Sequence, residues 1–483
     1  MKTAKYTITA IALSICTVIG AQTSFDAAKL YEEELNGTAR YIGMGGAMGA
    51  LGSDPSVISH NPAGIGTYHK SDINFSLSSF GTSVSTDPLA TNNKPIFNNG
   101  RTYYSHNTRS DINMAFDNFS AIFSGSESGD NYFNFGISYR KLQNMDRDLD
   151  YVDAFDDADG YEVWREYKDH QRNKVNSFDF NISYNLSDKL YVGWTFGILS
   201  AVTNSEGYFY DYYTKGAHPE YPNGLDYTSV DKMTRSEGAG WNMALGTIIR
   251  PFQALRLGAA IKTPTYFNEK LEYSDYLYAV MGEAKDGSKF NNIVEYKFSS
   301  PWSLDLSAGL TFGGSLVNVA LGAEYEKHFA SRSSLSIGNT KMVDQGAIDY
   351  KDFSVLKTGF ELNISNFSVR SGFGYKESMF NDGSYPYLYD SDFNGWKQDA
   401  SGNVAEVGRT DFQIDRLGKT RYVTFGLGYC STPDSDGTQF YVDLAYVNGL
   451  RGSIVNVNEY VEDVDVKYNY RTDKIQLTFG WNF

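Results

Sequence analysis

The sequence predicts an all-β protein, a fourteen-stranded antiparallel transmembrane β-barrel with an N-terminal plug in its lumen. Three observations carry that prediction. The chain opens on an export signal, apolar and polar residues then alternate in short segments, and the connections between those segments alternate in length. The parts are a signal peptide over 1–21, a plug over 22–70 and a barrel over 71–483.

The first part sets the compartment. Lys2 and Lys5 precede the apolar run ITAIALSICTVIGA at 8–21, which has the charged start, short apolar middle and small-residue end of a secretory signal, with cleavage expected after Gly20 or Ala21. Cys16 follows Ile15 inside the apolar run, so it reads as part of the signal and not as a lipid anchor. Cys430 is then the one cysteine of the exported chain, which leaves no internal disulfide and suggests a small buried hydrophobe.

The barrel rests on period-2 patterning. In the last segment Ile475, Leu477, Phe479, Trp481 and Phe483 share one face, and Gln476, Thr478, Gly480 and Asn482 share the other. The same rhythm recurs near 72–80, 116–124, 131–142, 175–186, 189–201, 238–250, 255–266, 294–313, 315–328, 353–365, 367–378, 419–431, 438–448 and 466–483. A soluble sandwich shows such alternation too, but has no reason to put its short connections at one end. Here long links at 81–115, 143–174, 202–237, 267–293, 329–352 and 379–418 alternate with short ones such as SDK at 187–189 and TPDSDG at 432–437. Outer-membrane barrels have even strand numbers, short periplasmic turns and long outer loops. Both termini are therefore expected in the periplasm and the long loops outside the cell. Tyr132, Tyr184, Trp194, Trp241, Trp302 and Tyr446 lie near strand ends, where interfacial aromatics belong.

Composition agrees. No apolar run of about 20 residues follows the signal, which excludes a bundle of membrane helices. With 42 basic and 58 acidic side chains the formal charge is -16, which argues against nucleic acid. The negative mean hydropathy is what a barrel with a polar interior should show.

The plug is the segment that is neither tail nor strand. Residues 25–35 suit a short helix ended by Asn36-Gly37. The run GMGGAMGALG at 43–52 superficially fits a dinucleotide-binding pattern, but no strand precedes it and no crossover unit follows. Its glycines, Gly45 and Gly46 among them, instead suit close packing against other backbone. Asp54-Pro55-Ser56 and then Asn61-Pro62-Ala63-Gly64 follow, the latter read as a tight turn.

That block, ARYIGMGGAMGALGSDPSVISHNPAGIG at 39–66, resembles the N-terminal hatch of the FadL/TodX family of outer-membrane long-chain fatty acid transporters. The pair Pro301-Trp302, taken to open a long strand, resembles that family too, though motif-level similarity is mostly confined to the hatch. The resemblance implies a fourteen-stranded barrel, a hatch that occludes the lumen, and uptake of fatty acids or other hydrophobic molecules that leave sideways through the wall into the membrane. It places gating on Asn61, Pro62, Ala63, Gly64, Gly45 and Gly46.

The long links suggest where such molecules are captured. Tyr208, Phe209, Tyr210, Tyr276 and Leu277 form aromatic clusters in segments read as outer loops, and an exposed apolar patch of that kind marks a binding surface or a loop-loop contact. Acidic loops carry much of the charge. Asp390, Asp392 and Asn394 match the first half of a calcium loop, but Ser401 stands where the late glutamate belongs. The segment 146–169 matches partly as well, with Phe155 at the opening position. Calcium thus rests on partial matches, and no other cofactor is suggested. No zinc-binding HExxH and no GxSxG elbow appears, so an enzyme is not expected. His60 beside the Asn61 turn reads as a hatch hydrogen bond. The expected partners are a hydrophobic small molecule or fatty acid and outer-membrane lipid. The alternative is a barrel that scaffolds a secretion or outer-membrane assembly complex, since the same loops would suit protein docking.

Overall fold

A computed structural model describes residues 27, 30, 31, 34–88, 97–98, 101–102, 108–109, 113–128, 131–156, 162–213, 227–281, 284–314, 316–337, 340–341, 350–380, 396–398, 404–406, 414–456 and 465–483. The barrel strands are β1 (Asp72–Pro88), β2 (Asn113–Ser128), β3 (Asn131–Asp156), β4 (Glu162–Leu186), β5 (Leu190–Tyr213) and β6 (Tyr227–Phe252). Two broken strands follow, β7 (Leu255–Lys262 with Tyr266–Met281) and β8 (Ala284–Ser299 with Ser303–Gly313). The remainder are β9 (Val317–His328), β10 (Phe353–Ile364), β11 (Phe367–Lys376), β12 (Ile414–Cys430), β13 (Gln439–Asn456) and β14 (Asp465–Asn482). Neighbours pair antiparallel and β1 closes on β14 from Asp72↔Asn482 to Pro88↔Val466, so the fourteen strands form a closed barrel. No helix among the described residues is long and apolar enough to cross a membrane.

Closure sets the two ends. Ser71 and Phe483 exchange backbone hydrogen bonds at 3.0 Å, so the barrel's first and last strands meet at the end that carries the short turns. The turn at 187–189 has Ser187 and Asp188 at positive φ, and Ser365 takes the same conformation in the turn between β10 and β11.

The alternation sorts as predicted. On β14 Ile475, Trp481 and Phe483 are exposed, while Gln476 and Thr478 are fully buried. Trp194, Trp241, Trp302 and Tyr446 also stand on the outer face. Cys430 is half-buried at the end of β12, a correction to the buried hydrophobe expected there.

Three further expectations are corrected. The segments 255–266 and 294–313 are not single strands. Thr263-Pro264-Thr265 interrupts β7 and Ser300-Pro301-Trp302 interrupts β8, because proline brings no N–H to a ladder. Pro301-Trp302 therefore lies in a break between two halves of one strand, with Ser300 N donating to Thr265 O across it at 3.0 Å. Much of the length assigned to outer loops is strand: β3 and β4 pair as far as Asp156↔Glu162, and β7 and β8 as far as Met281↔Ala284. Runs such as EGYFYDYY keep aromatic residues at strand spacing, and the ladder simply continues through them.

Candidate functional site

The site is the seat of the hatch inside the barrel and the space above it. The hatch folds on itself first. Thr38 caps the helix α1 (Ala39–Gly43), accepting from Tyr41 N at 3.1 Å. Its hydroxyl donates to Asp54 Oδ2 at 2.6 Å, and Asp54 Oδ1 accepts from Ser56 N at the head of the 3-10 helix Pro55–Ser59. Asn61 caps a second 3-10 helix, Pro62–Thr67, with Oδ1 accepting from Ala63 N at 3.2 Å. The Asn61–Gly64 block is thus a helix cap and first turn, not the reverse turn expected. Proline at the first helical position presets φ and loses no needed donor. Tyr41, Met44, Met48, Leu51, Val57, Ile58 and Ile65 form the hatch's own apolar core against Ile122 and Ala320 of the wall.

The wall receives the hatch in glycine sockets. An added Cβ at Gly246 would come within 2.1 Å of Asn61 Oδ1, and one at Gly193 within 2.4 Å of Pro62 C. Across the lumen Gly322, Gly359 and Gly372 leave the same room for Ala47, Met44 and Gly45. Gly45 and Gly46 are required by conformation as well, at φ +62° and +79°. Between the sockets inward polar side chains hold hatch backbone. Asn134 Nδ2 donates to Ile65 O at 2.8 Å, Asn181 Nδ2 to Pro62 O at 3.3 Å, and Thr195 Oγ1 to Ile58 O at 2.6 Å. On β14 Thr478 accepts from Ala39 N and Gln476 donates to Gly37 O. Ala63 packs on Tyr191 and Ile248, and Gly64 leaves room for Val57.

Charges hold the α1 side. Arg40 Nε reaches Glu361 Oε2 at 2.9 Å, Arg370 Nε meets the same oxygen at 2.5 Å, and Arg370 continues to Asp443 at 2.5 Å. Burial works against the Arg40 charge, but the Glu361 carboxylate more than offsets it and holds the pKa above the usual range. Burial pushes the Asp54 carboxyl up, opposed by Arg40 and by the Thr38 and Ser56 donors. Beside this network Lys357 joins Glu324 at 3.0 Å and Glu326, and Glu326 lies 3.1 Å from His328 and 3.5 Å from His60. His60 also stacks on Tyr41 at 5.8 Å, so its contact within the hatch is a ring stack and its polar contact is to the wall, in place of the hatch hydrogen bond expected.

A cavity of about 190 Å³ lies next to the charged side, lined by Tyr31, Tyr41, Phe80, Phe353, Val355 and Val447 with Lys376, Arg451 and Lys474. Asp117, Asn144 and Met145 line it too, beside the place where, among the described residues, two neighbouring wall strands cease to pair. Pairing of β2 with β3 ends at Asn118↔Arg140, while β2 stays paired with β1 up to Asn113↔Phe80. The β3–β4 register shifts between Lys141 and Gln143, and Leu142 O accepts from Glu34 N of the hatch segment at 3.0 Å. A hatch residue thus bonds the wall strand where its neighbour has parted from it.

The aromatic candidates gather on the extended strands. Tyr208 and Tyr276 both pair with Asp231, and Phe209 and Leu277 both pair with Val230. Tyr208 and Tyr210 stack at 6.5 Å. On β5 the exposed residues Val192, Trp194 and Ile198 are even-numbered, so Tyr208 and Tyr210 belong to the barrel's outer flank, and the ladder through Asp231 puts Tyr276 there as well. They are half-buried strand residues, a correction to the loop reading. Asp390, Asp392 and Asn394 lie outside the described residues, as do Asp157 and Asp159 of the second acidic segment.

The sequence reading found the hatch but missed what holds it, the wall glycines and the inward charges Glu324, Glu326, Lys357, Glu361 and Arg370. A signal was present: in AEYEKH and KTGFE Glu324, Glu326, Lys357 and Glu361 fall on the inward face of their strands, where a water-filled lumen would not need to bury them.

Fold and seat together describe a closed fourteen-stranded β-barrel whose N-terminal segment packs against its inward-facing side chains. Solved structures share the fold. A Pseudomonas aeruginosa FadL homologue matches at a TM-score of 0.60 and 12% identity over 93% of this chain and 99% of its own. A deltaS2 mutant of the TodX monoaromatic hydrocarbon channel matches at 0.57 and 15% over 92% and 98%, and the P. putida toluene transporter TodX at 0.53 and 12% over 93% and 99%. The fold is therefore that of the FadL/TodX channels. No protein-family model and no curated protein matches the chain.

Proposed function

We propose that this protein is an outer-membrane channel for hydrophobic small molecules, fatty acids among them, in which the hatch closes the aqueous route and solutes leave sideways between β2 and β3. The observation that carries this reading is the cavity beside the wall opening. Its apolar residues Tyr31, Phe80, Phe353 and Val355 share one space with Asp117, Asn144 and Met145 beside the proposed opening, which the hatch bridges through Glu34 N and Leu142 O. A cavity of about 190 Å³ exceeds the roughly 150 Å³ in which a benzene ring binds. It suits one aromatic ring or a length of acyl chain. The apolar outer face, with residues such as Phe116, Phe135, Leu245 and Phe425 exposed, is the surface that lipid covers. It would put the short turns and both termini on the periplasmic side.

In this scheme solutes adsorb on the outer flank near Tyr208, Tyr210 and Tyr276, with Phe209 and Leu277 in the adjoining row, enter the lumen, and reach the wall opening when the hatch segment at Glu34 gives way. The hatch itself does not leave. Accumulation of labelled oleate and of labelled toluene by cells expressing the chain, against cells with an empty vector, tests the proposal. Faster accumulation of either supports transport. No difference, with stoichiometric protein partners retained in mild detergent, supports a scaffold instead.

A further inference from the structure

We infer that the hatch-wall seam contains a site for a divalent first-row transition cation, formed by His60 of the hatch, Asp305 of β8, and Glu324 and Glu326 of β9. One ligand atom from each lies within 4.8 Å of all the others. Spacing alone would describe any acidic cluster. A second, independent observation is Asp305, which is 6% exposed and receives no donor hydrogen bond at either carboxylate oxygen, facing the Glu324 carboxyl group instead.

The surrounding partners account for the other groups but not for Asp305. Glu324 accepts from Gly49 N at 2.9 Å and from Lys357 at 3.0 Å. Glu326 takes Lys357 and His328, and the far nitrogen of His328 meets Tyr31 OH at 2.5 Å. Three carboxylates against one ammonium leave two negative charges in a buried space when the imidazoles are neutral. An uncompensated buried charge is costly, and one divalent ion would balance both. The donor set decides the class. Three carboxylates with one imidazole suit Zn²⁺ or Mn²⁺ better than Ca²⁺, which takes oxygen donors in larger number. Such an ion would join hatch to wall, since His60 is the one ligand carried by the hatch.

The test uses the full chain in detergent, stripped with a chelator and titrated with Zn²⁺ by calorimetry, with Co²⁺ absorption as a second readout. The expected result is one tight ion per chain, at least tenfold weaker binding in Asp305→Asn and in His60→Gln, unchanged binding in Cys430→Ser, and a Co²⁺ spectrum that changes on His60→Gln. The hatch variant His60→Gln leaves the strands intact, so it remains decisive should Asp305→Asn fail to fold. Zn²⁺ binding that is absent, or equal in wild type and His60→Gln, overturns the site and indicates that Asp305 and Glu324 share a proton instead.

Discussion

The two ends of the hatch are held by different physics. At the Asn61–Thr67 end the contacts are neutral: backbone pressed into Gly193 and Gly246, carbonyls taken by Asn134, Asn181 and Thr195, and Ala63 against Tyr191 and Ile248. At the other end Gly322, Gly359 and Gly372 also receive backbone, but Arg40, Glu361, Arg370, Asp443 and the Glu324–Glu326–Lys357 group meet there beside the cavity. Close packing has one arrangement, whereas ion pairs can exchange partners at modest displacement. In the proposed route the first end anchors and the second moves.

Substitutions at each end sharpen that contrast. Glu361→Gln should have the largest effect, because it leaves the buried Arg370 and the half-buried Arg40 without their shared carboxylate; breaking a buried pair costs about 3–5 kcal/mol. Limited trypsin digestion should then cut at Arg40, and an undiminished resistance would show that the ion pairs do not hold this end. Gly246→Val comes next. Its side chain would enter the space of Asn61, an overpacking worth about 1–3 kcal/mol. Here the anchored end is forced out, so planar-bilayer recordings should show openings that the parent lacks. Asn61→Ala removes a helix cap for about 1 kcal/mol while Asn61→Asp keeps it, and thermal melts of the two should separate accordingly. Smallest in stability is Tyr208→Ala, within about 0.5 kcal/mol for a half-exposed strand residue. If the outer flank adsorbs solute, its uptake rate should nevertheless fall, and equal uptake would remove Tyr208 from the route.

Legibility in the sequence followed periodicity. The fourteen strands, the short-turn end and the outward faces were readable because a two-sided wall writes period 2 into every segment, as at Ile475 to Phe483. In the hatch Gly45 and Gly46 were readable as local demands of φ, whereas Asn61–Gly64, read as a turn, is a helix cap. The breaks at Pro264 and Pro301 were misjudged, since alternation continues on both sides of them. The strand character of Tyr208 and Tyr276 was missed because polar neighbours mimic a loop. Least readable was the cluster of His60, Asp305, Glu324 and Glu326, whose members come from the hatch and two strands and meet only after closure.

On the proposed route the charged side of the hatch must move for solute to pass while the Asn61–Thr67 end stays. In a Cys430→Ser background, Gly49→Cys with Ser307→Cys would join the hatch to β8 beside Glu324, where an ideal Cβ at position 49 lies 3.2 Å from the Ser307 Cβ. Gly66→Cys with Tyr191→Cys would join the anchored end, at 3.6 Å, inside the usual disulfide range of about 3.5–4.5 Å. Uptake of a labelled hydrophobic solute should stop in the oxidised first pair, return on reduction, and continue in the oxidised second pair. Undiminished uptake with the first pair fully oxidised would contradict gating by the hatch.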